Sequence, residues 1–496
     1  MSKIKLVLPV GNKAVTFSNP FTKEFITFKN LLVITNLLSI GVFSLFIFLL
    51  PTMAGILSYT ELDTVVLRFL IFFVFALLAI FLVRVVFAGG KIIIDPKGFL
   101  MVLLFNLVLT ASSVLVVTTR VSNTFGTVGF RYLAGITLIS LIGVFYFTSL
   151  HTMVNTAVRR FVDLFIFGTE IFVLVQLLSE RTSTQTGVIM ASLPVLALAI
   201  LLSAYRLLSE SKIDAVKAII LAVFTGLSIL IIPLNIQSYS TLFLFTLALL
   251  ISYLLVALLY VSRVKLTFKS RVKTALNNFK LKMLSKSDVQ VLAVLVVPVV
   301  LILALAFFYL NLSNKNIFNP IVQQYSTALQ NLNGGAELNT NNLRTLVLGK
   351  GSDNYSSNAP FLVNVLIVQG LLGVLIYAVL WTYFINKAKG ALLYNLKNRR
   401  DFKLTAVILF YLILMPLVLI YSYPSLIAII VMWAAFALVG NLKYKEDQKD
   451  LFLTEPQALP QTKNKALLFS VLRVVSVVLI TTAAVYLVHF LWTVIK

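Results

Sequence analysis

Residues 65–89 read Val-Val-Leu-Arg-Phe-Leu-Ile-Phe-Phe-Val-Phe-Ala-Leu-Leu-Ala-Ile-Phe-Leu-Val-Arg-Val-Val-Phe-Ala-Gly, an apolar run in which Arg68 and Arg84 are the only charges. A helix needs ~20 mostly apolar residues to cross ~30 Å of hydrocarbon, and this stretch meets that length. The same ruler gives about thirteen candidate spans, near 31–50, 65–89, 99–118, 132–154, 161–179, 188–208, 216–234, 241–262, 289–310, 361–385, 404–422, 424–442 and 467–494. The turn Tyr421-Ser422-Tyr423-Pro424 leaves the eleventh and twelfth open as one hairpin or two partial spans. The expectation is an all-α, polytopic transmembrane bundle.

Composition excludes the alternatives. Of 496 residues, 60% are hydrophobic and 12% charged, with a mean hydropathy of +1.00, whereas soluble domains are ~45–50% apolar and ~25% charged. The net charge of +24 would suggest nucleic acid in a soluble chain. Here the basic residues sit in short segments between apolar runs, where they set orientation and meet lipid headgroups, so no nucleic-acid partner is expected. The absence of cysteine removes disulfides, thiol nucleophiles and thiolate metal sites. His151 and His489 have no acid at zinc-ligand spacing, and no Walker, metalloprotease or nucleophile-elbow motif occurs.

Lys and Arg alternate between loops. Segments holding Lys91 and Lys97, Arg159 and Arg160, Arg206 to Lys217, Arg263 to Lys286, Lys387 to Lys403 and Lys443 to Lys465 alternate with segments such as 51–64 and 235–240 that have none. By the positive-inside rule the N-terminus is cytoplasmic and the C-terminus outside. The organisation expected is a cytoplasmic segment 1–30 with no cleaved leader, spans one to nine over 31–310, an outer loop 311–360, spans ten to twelve over 361–442, a cytoplasmic loop 443–466 and a last span within 467–496. In the outer loop, Ile321, Tyr325, Leu329 and Leu332 recur at helical spacing, predicting a short amphipathic helix over the outer surface.

Several polar groups stand out. Glu170 lies near mid-bilayer in the fifth span and reads either as an ion-coupling site or as a carboxyl bonded between helices. Asp163, beside Arg159 and Arg160, reads as a salt-bridged interface residue. Glu61-Leu62-Asp63 in the first outer loop is either a solvated turn or a divalent-cation holder for a diphosphate. Arg120 and Arg131 flank Phe125-Gly126-Thr127 in the second outer loop, on the side poor in positive charge, where a guanidinium fork suits phosphate. The strongest stretch is Leu343-Arg344-Thr345-Leu346-Val347-Leu348-Gly349-Lys350-Gly351-Ser352-Asp353-Asn354-Tyr355-Ser356-Ser357-Asn358-Ala359-Pro360. Gly349 and Gly351 allow a turn whose amides can face an anion, with Arg344 and Lys350 adding charge. A flexible surface loop is the alternative.

The large late outer loop ending in LVLGKGSDNYSSNAPFLVNVLIVQGLLGVLIYAVL, together with FGTVGFRYLAGITLISLIGVFYF, resembles the O-antigen ligase and polymerase family of bacterial membrane glycosyltransferases. The likeness in topology covers most of the chain, and the motif-level match covers roughly 120–150 and 340–385. The resemblance implies metal-independent, inverting transfer of a glycan from a polyprenyl diphosphate to an acceptor hydroxyl outside the inner membrane, with no cofactor. It implies Arg131 and Arg344 on the leaving diphosphate, supported by Lys350, with Arg120, Gly349 and Gly351 contributing to substrate binding, and Asp353 or Asn358 at the acceptor. Where the family often has His this sequence offers Asn358 or Ala359, so a His-assisted step does not carry over. The rival reading is a transporter or lipid-linked oligosaccharide flippase, centred on Glu170, Arg68 and Arg84.

Overall fold

A computed structural model describes residues 5–10, 13–18, 28–56, 59–86, 96–116, 155–178, 183–209, 340–350, 360–397, 402–421 and 426–444, with isolated positions between 220 and 224, between 323 and 330, and between 471 and 485. Its bundle is helical, with nine helices in the described residues: α1 (Phe28–Ile56), α2 (Tyr59–Val86), α3 (Pro96–Val116), α4 (Asn155–Leu178), α5 (Ser183–Ser209), α6 (Thr340–Leu348), α7 (Phe361–Lys397), α8 (Lys403–Tyr421) and α9 (Leu426–Tyr444). Four helices, α1, α2, α7 and α8, are long and apolar enough to cross a membrane. Of the remaining expected spans, 99–118, 161–179, 188–208 and 424–442 coincide with α3, α4, α5 and α9, and 132–154, 216–234, 241–262, 289–310 and 467–494 lie outside the described residues but for isolated positions. One addition is a small antiparallel hairpin, β1 (Lys5–Val10) with β2 (Lys13–Ser18), in the segment 1–30 expected to precede the first span on the cytoplasmic side.

Four hydroxyls in the helices are satisfied locally, as an apolar surrounding favours. The hydroxyls of Thr52, Thr169, Ser203 and Thr382 each donate to the carbonyl four residues earlier, at 2.8 Å. The heaviest packing is α1 on α4, and small residues allow it. A Cβ at Gly168 would lie 2.7 Å from the Phe48 carbonyl oxygen, and one at Gly55 would lie 2.8 Å from the Phe172 Cα, so the backbones approach as glycine permits. The matched pairs Phe43–Phe161 at 5.3 Å, Phe48–Phe167 at 5.9 Å and Gly55 against Phe172 advance together along both helices. Helices α1 and α4 are therefore parallel. On the other side of the bundle, Phe105 of α3 meets Tyr377 of α7 and Trp433 of α9, while Phe384 of α7 stacks on Phe436 of α9 at 4.3 Å. The Asn395 amide near the end of α7 donates to the Thr405 hydroxyl at the start of α8, at 3.1 Å. Helices α8 and α9 are separate elements, the first ending at Tyr421 and the second starting at Leu426.

The tenth expected span is not one straight helix. Gly370 takes φ +65°, ψ −164° inside α7, and the chain folds back there. Phe361 and Tyr377, sixteen positions apart, would be about 24 Å apart along a continuous helix. Their ring centroids are 5.5 Å apart. The first arm, 361–369, rises only about 14 Å, and the second, 371–397, about 40 Å. Gly373 accommodates the reversal, because a Cβ there would meet the Gln369 side chain and Val365 Cγ1.

Candidate functional site

The expected polar loop begins as a helix. Thr340 opens α6, Leu343, Leu346 and Val347 recur at helical spacing, and Gly349 stops it at φ +82°, a left-handed C-cap. The Gly349 amide donates to the Thr345 carbonyl and the Lys350 amide to the Ile367 carbonyl, both at 2.8 Å. These two amides of the expected anion cradle thus point at carbonyls. What the turn presents outward is side-chain charge, since Arg344 and Lys350 are both exposed. Lys350 also follows the negative end of α6, a position where the helix dipole favours a cation.

The turn is built directly onto the fold-back. A Cβ at Gly349 would overlap the carbonyl of Val368, and a Cβ at Gly370 would overlap the carbonyl of Val347 and the amide of Gly349. Leu346 and Tyr325 pack with Val363 and Leu366 in a small cluster separate from the main core. The Tyr325 hydroxyl donates to the Ile420 carbonyl at 3.3 Å, tying the region around the predicted 321–332 helix to the end of α8.

Of the residues expected at the site, Arg344, Gly349 and Lys350 are brought together within one helix end. Arg120, Arg131, Gly351, Asp353 and Asn358 lie outside the described residues. The sequence reading missed Asn364 and Gln369, polar side chains of the short arm that are 3% and 4% exposed. Their signal is two amides in an otherwise apolar run.

The other singled-out groups separate clearly. Glu61 and Asp63, expected in an outer loop over 51–64, lie within α2, which begins at Tyr59. Asp163 pairs with Arg206 of α5, Nε to Oδ1 at 2.5 Å and Nη2 to Oδ2 at 3.1 Å, while Arg159 and Arg160 are exposed. Glu170 is partly buried on α4. Among the described residues no group of three possible metal ligands occurs.

The apolar helices and buried hydroxyl bonding mark a helical membrane protein. Comparison with protein-family models, curated proteins and solved structures finds no match.

Proposed function

We propose that this chain is a polytopic glycosyltransferase of the O-antigen ligase or polymerase type, of about thirteen spans, acting at the outer face of a bacterial inner membrane. It moves a glycan from a polyprenyl-diphosphate carrier to an acceptor hydroxyl in cell-surface polysaccharide assembly. The observation that carries this reading is α6 and its glycine turn, which mount Arg344 and Lys350 on a broken membrane helix. Transfer needs fixed cations facing the diphosphate as its charge develops and a group orienting the attacking hydroxyl. Arg131 and Arg344 take the first task, with Lys350, Arg120 and the Gly349–Gly351 turn around them, and Asp353 or Asn358 takes the second.

The test is deletion in the native host, with analysis of surface glycan and of the lipid-linked pool. Loss of mature glycan with precursor accumulating on the outer face supports transfer. Precursor held on the inner face makes the chain a flippase, the reading favoured by partly buried Glu170 at membrane depth. In complementation, Arg344→Ala and Arg131→Ala should each abolish transfer at normal abundance, and lysine should rescue poorly because it lacks the guanidinium fork. Full activity in both alanine variants would sink the assignment.

A further inference from the structure

The short arm of α7, 361–369, rises about 14 Å, too little for ~30 Å of hydrocarbon. It ends at Gly370, where the long arm starts toward the lysine-rich end at Lys387, Lys389 and Lys397. With that end cytoplasmic, Gly370 is at the outer side. Phe361, in ring contact with Tyr377, then lies about 10 Å deeper, seven residues down the long arm. The short arm therefore rises from within the membrane layer to the outer side at Gly370. A re-entrant segment at that depth is tolerated where protein buries it, and here Phe361 and Val365 enter the main core while Val363 and Leu366 pack with Leu346 of α6 and Tyr325.

Its upper end is locked. Gly349 and Gly370 each occupy space that a Cβ would need from the other segment's backbone, and each has a positive φ. The Lys350 amide adds a bond to Ile367 across the crossing. Two backbones in direct contact have no soft side chains between them to absorb sliding.

We propose that α6 and the arm Phe361–Gln369 form one latched, re-entrant wall of the outer site, held shut by the Gly349–Gly370 crossing, rather than a lid that opens during turnover. Its place beside a substrate rests on the glycosyltransferase reading, whereas its latching does not.

The chain has no native cysteine, so Leu346→Cys with Leu366→Cys gives a clean pair within the small cluster. In native membranes the pair should bridge on oxidation or with a short bis-methanethiosulfonate, and the bridged protein should keep wild-type glycan transfer. Adding Gly370→Ala should cut bridging roughly tenfold, the scale of left-handed strain on a non-glycine residue, and raise maleimide labelling of a separate Val347→Cys variant. Failure of the pair to bridge in the otherwise wild-type chain would overturn the juxtaposition. Activity lost on bridging and recovered with reductant would make α6 a lid. If the wild-type chain transferred no glycan, the function would fall while bridging and labelling still judged the latch.

Discussion

At the residue scale the glycines differ sharply in what they do. Gly370 holds φ +65° against the backbone of Val347 and Gly349, whereas a methyl group added at Gly41 would meet nothing within 4 Å. Left-handed φ costs a non-glycine residue about 1–2 kcal/mol, and a Cβ pressed on backbone has no rotamer to escape into. Gly370→Ala should therefore destabilise by at least ~2 kcal/mol, lowering the melting temperature in detergent, while Gly41→Ala stays within ~0.5 kcal/mol or gains slightly from helix propensity. Equal melting temperatures for the two would contradict the fold-back. The sequence shows Gly370-Leu371-Leu372-Gly373 plainly but not its meaning. A run this nearly apolar has no helical period to be interrupted, so a reversal inside 361–385 looks like one span. The Gly349 turn is legible as a turn, and its amide partners are not, because the Ile367 carbonyl that receives the Lys350 amide is remote in sequence.

At the element scale, α1 and α4 show how small residues substitute for the hydrophobic effect that lipid removes. Gly168 lets the Phe48 carbonyl and Pro51 ring sit against the α4 backbone. Gly168→Leu should separate the helices and reduce the folded fraction several-fold by size-exclusion fluorescence, whereas Gly390→Leu, at an exposed position with nothing within 4 Å, should not. The Asp163–Arg206 fork is a gentler tie. Asp163 is 47% exposed at its side chain, so a double-mutant cycle of Asp163→Asn and Arg206→Gln should give a coupling of about 1 kcal/mol or less; a coupling several times larger would mean the pair sits in a drier setting than its exposure indicates. That Asp163 pairs at all follows from charge in an apolar helix. The pairing with Arg206 does not, since it comes from α5, 43 positions away in sequence. Helix α6 is legible in principle from Leu343, Leu346 and Val347 before a glycine, but the polar residues around it dominate a composition-based reading.

At the scale of the whole molecule, orientation is where charge pattern and packing meet. The positive-inside reading expects 31–50 and 161–179 to run in the same direction as first and fifth spans. Helices α1 and α4, which cover those stretches, pack in parallel. In the proposed thirteen-span topology the stretches 65–89, 99–118 and 132–154 separate them, the odd number of crossings that parallel neighbours need. Helices α7 and α9 meet directly where Trp381 and Phe384 both pack on Phe436, and share Phe105 of α3 through Tyr377 and Trp433. Single cysteines at exposed positions can read this out in a background that has none. In intact cells an impermeant maleimide should label Ile56→Cys and Lys350→Cys, and should label Lys97→Cys, Arg159→Cys and Lys397→Cys only after permeabilisation. Labelling of Arg159→Cys from outside, with Ile56→Cys also labelled, would put α4 antiparallel to α1 in the membrane, which the stepwise pairing of Phe43 with Phe161 and Gly55 with Phe172 does not allow.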